Sequence, residues 1–214
     1  MIADDGSGDA AAGRCPWDLG TMAASAVDAN YLLPPIPEAR MNWQVMDTPR
    51  GSFALSAAFR LRDDGGLQQG TEHYFCDSAG LHLSVVETSI RRVRFEPPLL
   101  VLPATLGSGE AHGRIVFTEN DTEEIFAYSF SWVTQPLGLA DELGLHAFDA
   151  VRVASVLDTA SERYARRWST LSDWLTSDTL ILPHRRVQTV AIDDDDAQRE
   201  ERLDGVTVNG QRLF

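Results

Sequence analysis

Apolar and polar residues alternate along much of this chain. Phe53, Leu55, Ala57, Phe59 and Leu61 are interleaved with Ala54, Ser56, Ala58 and Arg60. A period of two places one set on one face of a β-strand. Asp63-Asp64-Gly65-Gly66 then marks a turn, and Leu67–Cys76 returns as the next strand. Asp77-Ser78-Ala79-Gly80 is a second turn. Leu81, Leu83 and Val85 follow on one face, against His82, Ser84 and Val86. Met41–Met46 precedes this run as a further strand. The pattern is a meander of antiparallel strands.

Beyond it, Pro97-Pro98, Leu99–Leu102 and Pro103 break the alternation. Prolines on both sides of an apolar run predict an edge or crossover segment. Arg114–Thr118 is a short strand, Asn120-Asp121 a turn, and Ile125–Val133 a strong strand with Phe126, Tyr128, Phe130 and Trp132 on one face. Residues 136–145 read as a loop or single helical turn, and His146–Asp158 as a strand. Ser161–Trp174 fits either a helix through Tyr164, Trp168 and Leu171 or a bent strand, and its sheet neighbours favour the strand. Leu180–Ile192 and Leu203–Val208 complete the series, with Asn209-Gly210 opening a terminal hairpin.

The expected fold is all-β with few short helices. It is a strongly curved antiparallel sheet, either a half-open or a closed barrel, of about nine or ten strands. Residues 1–28 are rich in Ala, Gly, Asp and Ser and are expected to be disordered or weakly helical. Residues 29–214 form a single antiparallel β-domain with an acidic loop at 193–202, ordered from near Tyr31.

Charge adds limits. The 214 residues carry a formal −14, and every one of the 18 cationic side chains is Arg. Residues 1–30 hold −4 of this charge and residues 193–204 hold −5. Both read as solvated acidic segments around a mildly acidic body. A nucleic-acid partner would call for a basic excess, so none is expected. The longest uncharged stretch, Ile125–Ala140, spans 16 residues. That is short of the ~20 apolar residues of a membrane-spanning helix. Cys15 and Cys76 are either one bridge, in an oxidising compartment, or two thiols. Met1-Ile2-Ala3-Asp4-Asp5 lacks the basic start and apolar stretch of a secretory leader. The expected location is thus cytoplasmic, or periplasmic or secreted if a leader has been removed.

Candidate chemistry is sparse. The nucleophile-elbow, phosphate-loop, zinc-protease and dinucleotide motifs are absent, and the His and Cys spacing fits no metal. No cofactor or metal is expected. The ring stripe at 126–132 is either ordinary β-core or one wall of an apolar cavity, with Trp43, Phe59 and Tyr74 opposite. Each ring buried in such a wall is worth ~2–3 kcal/mol. Glu72 and Tyr74 share one face and His73 takes the other. Arg91-Arg92 with Arg94, Arg166-Arg167, and Arg185-Arg186 each can send one guanidinium inward and one outward. Surface pairing with Asp and Glu is the plainer reading of these clusters.

Several segments resemble a family of bacterial periplasmic or lipoprotein-type domains of unknown function. These are related in shape to the lipoprotein carriers of the outer-membrane localisation system. The similar segments are Tyr31-Leu32-Leu33-Pro34 followed by Trp43, the apolar run Leu99–Pro103, and His146-Ala147-Phe148-Asp149-Ala150-Val151-Arg152-Val153. Glu162-Arg163-Tyr164, and Trp174 ahead of Arg185–Val190, complete the likeness over residues 31–210. Leu175–Pro183 departs from it by lacking a glycine. The resemblance implies a half-open curved sheet, with a helix or loop plugging its concave side, that holds acyl chains or other apolar ligands. The leading expectation is therefore a non-catalytic module binding a lipid-like or aromatic molecule, lined by Trp43, Phe59, Tyr74, Tyr128, Phe130 and Trp132. Arg152 is its headgroup partner. The alternatives are a cyclase or isomerase using the same cavity and an envelope interaction domain with none.

Overall fold

The computed structural model describes residues 15–18, 21, 22, 25, 27–33, 36–46, 54–63, 66–160, 167–192 and 195–213. Of these, 28, 30, 33, 36–46, 54–63, 66–69, 192, 195–197 and 199 are described by backbone alone. The meander begins with β1 (Val27–Leu33), β2 (Ile36–Met46), β3 (Ala54–Asp63) and β4 (Gly66–Asp77). It continues through β5 (Gly80–Thr88), β6 (Arg91–Pro103), β7 (Ser108–Glu119) and β8 (Thr122–Leu137). A single helical turn, α1 (Leu139–Glu142), leads to β9 (Asp149–Thr159), β10 (Arg167–Ser177), β11 (Leu180–Ile192), β12 (Asp195–Val208) and the short β13 (Gln211–Arg212).

Every strand pairs antiparallel with its neighbour in sequence, and β1 pairs with β12 as well as β2. The curled sheet therefore joins its own ends, which satisfies the edge groups that an open sheet would leave unpaired. The all-β antiparallel meander is the expected one. Thirteen strands replace nine or ten, because the early and late segments also pair. Tight reversals use the predicted turn residues. Asn120 and Asp121 adopt φ of 48° and 63°, and Asn209 and Gly210 adopt 52° and 75°. Positive φ at both central residues is what a two-residue hairpin turn requires.

Three expectations are revised. The Leu99–Pro103 run is no crossover: it lies within β6, between β5 and β7. Pro97 and Pro98, just ahead of it, fall where the β5–β6 register slips between Leu83 and Val85 and where the β6–β7 ladder ends at Glu96. A bulge is the place where a strand tolerates a residue without an N–H. Residues 195–202 are strand, not acidic loop. Order begins before Tyr31, since β1 starts at Val27 and Cys15 is bridged to Cys76 with Cα atoms 5.3 Å apart. Residues 1–14 lie outside the described residues.

The bridge docks a segment against one end of the barrel. The Asp18 side chain accepts from the Thr21 amide at 3.1 Å and from its hydroxyl at 2.7 Å, shaping a local turn. The Asp18 amide donates to the Asp178 carbonyl at 2.7 Å, on the turn between β10 and β11. Met22 is 1 % exposed within the main core, and Trp17 packs against it. This end is filled by Val27, Tyr31, Leu81, Leu102, Ile181 and Val206. A smaller cluster sits on the outer wall. There the α1 region packs Leu137, Leu139, Ala140, Leu145 and Phe148 over Ala150 and Leu175.

Two inward glycines make room for rings of the β8 stripe. A Cβ at Gly109 would press on the Trp132 ring, and one at Gly113 would meet the Glu96 carbonyl, the Pro97 ring and the Tyr128 ring. The Glu96 carbonyl and the Pro97 ring belong to the main chain of the neighbouring strand and cannot swing aside. Gly113→Ala is expected to destabilise by about 1–3 kcal/mol through overpacking. Gly138→Ala, with open space around it, should be near neutral by urea denaturation.

Candidate functional site

Alternation decides what faces inward. On β7 to β10 the inward set includes Ile115, Phe117, Phe126, Phe130, Val153, Leu157, Trp168 and Trp174. These residues, with others from β5 and β6, enclose a cavity of about 280 Å³. Its walls grade from fully buried at Ile115, Val153 and Trp174 to half-buried at Val86, Val93, Phe126 and Trp168. The half-buried residues lie toward the β5–β6, β7–β8 and β9–β10 connections, opposite the end filled by Met22. The interior is thus packed in one half and hollow in the other.

Ionisable groups gather at mid-height on one side of the cavity. Glu72 and Tyr74 come from β4, Arg186 from β11 and Glu201 from β12. Arg186 and Glu201 are direct cross-strand partners. The guanidinium Nε donates to Glu201 Oε2 at 2.6 Å and Nη2 to Glu201 Oε1 at 3.0 Å. Nη2 also reaches both oxygens of Glu72 at 3.0 Å, and Nη1 donates to the Tyr74 hydroxyl at 3.3 Å. That hydroxyl in turn donates to Glu72 Oε2 at 2.5 Å. Glu201 is 3 % exposed and Glu72 8 %.

Burial by itself would push the Arg186 pKa down. The carboxylates of Glu201 and Glu72 outweigh it and hold the guanidinium well above its ordinary value. Burial pushes the Tyr74 phenol well above its ordinary range, and Glu72 pushes it further, with Arg186 opposing. Burial likewise raises Tyr31, followed by the charge of Glu201, and the Tyr31 hydroxyl has no hydrogen-bond partner among the described residues. The cluster is a fixed ion network in which the arginine and both tyrosines keep their protons at neutral pH.

No family model, curated protein or solved structure matches the chain.

Of the sequence-predicted site residues, Tyr74 and Phe130 line the cavity. Tyr128 is buried beside it, stacked edge-on against Phe95 and donating to the Pro97 carbonyl at 2.5 Å. Trp132 packs over Gly109, outside the cavity wall. Trp43 pairs with Ala29 and Ala57, and Phe59 with Met41 and Gly70; their side chains lie outside the described residues. Arg152 does not reach the cavity. It alternates with the inward Val153 and forms a two-pronged pair with Asp173, at 2.6 and 2.9 Å, on the outer wall. Its guanidinium is committed there and cannot hold a headgroup inside.

Of the arginine clusters, the pair Arg185-Arg186 divides between the two faces. Arg91 pairs with Glu119, Arg92 with Glu87, Arg94 with Glu96 and Arg167 with Asp158, all on the exterior. Arg166 lies outside the described residues. Arg185 turns outward to Glu200, while Arg186 turns inward. His73 also faces away from Glu72, to Glu87 at 2.9 Å. Among the described residues there is no cluster of metal-ligand type. The one member of the network that sequence reasoning placed elsewhere is Glu201, taken for part of a solvated loop.

Proposed function

We propose that the barrel is a binding module that holds an apolar small molecule, lipid-like or aromatic, in its hollow half. One observation carries this reading: a cavity of about 280 Å³ with aliphatic and aromatic walls, whose ionisable groups are confined to one side. A mostly apolar pocket with a few convergent polar groups is the usual form of a small-molecule site. The Cys15–Cys76 bridge fits a protein of an oxidising compartment, periplasmic or extracellular, where such ligands pass between membranes. Native mass spectrometry of protein purified from its own host tests it, beside the denatured mass. An adduct released on denaturation is the expected result. A bare chain that also fails to bind any added apolar probe would overturn it.

The second reading is an enzyme of cyclase or isomerase type using the same cavity. What favours it is that Glu72, Tyr74 and Arg186 all face the interior. The saturation of Arg186 and the raised Tyr74 phenol weigh against proton transfer by either group. Binding is therefore the better-supported function.

A further inference from the structure

Resting on that reading, we propose that the occupant is a small ring compound with hydroxyl or carbonyl oxygens along one edge, and that this edge lies on a polar row built by β9, β10 and β11. Ser155, Thr170 and Gln188 all line the cavity. They are also direct cross-strand partners, Ser155 with Thr170 and Thr170 with Gln188, so they stand side by side at one height of the barrel. Ser172 lines the cavity at the next inward position of β10 and is 5 % exposed. None of these side chains has a hydrogen-bond partner among the described residues.

The rest of the wall is of another kind. β5 to β8 contribute only aliphatic and aromatic side chains to the cavity. On β10 itself, Trp168 and Trp174 bracket Thr170 and Ser172 on the inward face. Paired strands run about 4.8 Å apart, so neighbours in the row repeat at roughly the separation of two hydroxyls set meta on one ring. Ser, Thr and Gln side chains both donate and accept, so hydroxyl and carbonyl oxygens each find a partner. An alkyl chain laid across the row would take these groups out of water and return no hydrogen bond. A ring with oxygens on one edge satisfies the row and still offers apolar faces to the other wall. The cavity, about 280 Å³, lies just below the ~300–1,000 Å³ of ordinary ligand sites, which sets the small size.

The test uses the full chain at neutral pH and displacement of a bound fluorescent reporter, N-phenyl-1-naphthylamine. The competitors are 1,3-dihydroxynaphthalene, its hydrocarbon counterpart 1,3-dimethylnaphthalene, and decanol. Thr170→Val with Ser155→Ala removes two hydroxyls of the row and changes side-chain volume little; a circular dichroism spectrum checks that the variant is native. It should bind the diol about tenfold more weakly than the parent does, and the dimethyl compound no more weakly. Decanol, with a single hydroxyl, should lose severalfold less than the diol. Ser172→Ala should show the same pattern with a smaller loss, and serves if the double variant does not fold. Equal losses for the diol and the dimethyl compound, or no loss for either, overturn the inference and leave the binding module standing. Reporter binding that the diol does not displace has the same meaning. A decanol loss as large as the diol's overturns the assignment to a ring compound. Failure of the reporter and every competitor to bind, together with a bare chain in native mass spectrometry, overturns the module itself.

Discussion

Arg186→Met should cost about 3–5 kcal/mol of folding stability, a large share of what holds a domain of this size together. The side chain is close in length, so little packing volume is lost. What is lost is the guanidinium that binds two carboxylates buried in the barrel wall, Glu72 and Glu201. Removing one partner of a buried ion network withdraws compensation from the others, and that penalty exceeds the net worth of the intact network. The combination Arg186→Met, Glu72→Gln and Glu201→Gln should recover much of the loss, since it removes all three charges and keeps their shapes. Urea denaturation at neutral pH measures both variants. A single variant within about 1 kcal/mol of the parent would mean that water reaches the network and screens it.

The network also shows how much of the site could be read from the chain. Alternation in Glu72-His73-Tyr74 correctly puts Glu72 and Tyr74 on one face, and adjacency in Arg185-Arg186 correctly splits that pair between faces. Neither pattern says which face is inside, because polar residues do not announce burial. Glu201 was hidden by its company: Asp193–Asp196, Glu200 and Asp204 surround it and make the stretch look like solvated loop. Its inward turn follows from the ladder with β11, which pairs it with Arg186. The ring stripe of β8 was legible as a stripe. Its division into Phe126 and Phe130 in the wall, and Tyr128 and Trp132 over glycines, depends on Gly113 and Gly109 of the neighbouring strand. Arg152 was misplaced because a lone cation on a strand carries no mark of its partner, and Asp173 lies 21 positions away.

Breaking the Cys15–Cys76 bridge should bring a comparable loss, by a different route. The bridge spans 61 residues of sequence. In the chain-entropy account, cross-linking a loop of that length restricts the unfolded ensemble by about 4 kcal/mol. The same bridge anchors the segment that carries Trp17 and the fully buried Met22 to the filled end of the barrel. Cys15→Ala with Cys76→Ala, or reduction of the parent, should therefore lower the urea midpoint and release the protection of the Asp18, Met22 and Ser25 amides. The two effects separate what the bridge does. If the segment detaches while the barrel stays folded, hydrogen exchange rises there first, and cooperative unfolding falls by less than the full entropic amount. If protection persists and stability drops by the full amount, burial of Met22 and Trp17 holds the segment unaided and the bridge acts on the unfolded chain. A reduced protein unchanged in both respects would show that the bridge contributes nothing to stability. Ligand occupancy offers the functional readout of the same experiment. The cavity opens at the opposite end, so a bound apolar probe should survive reduction unless detachment of the segment lets water into the packed half.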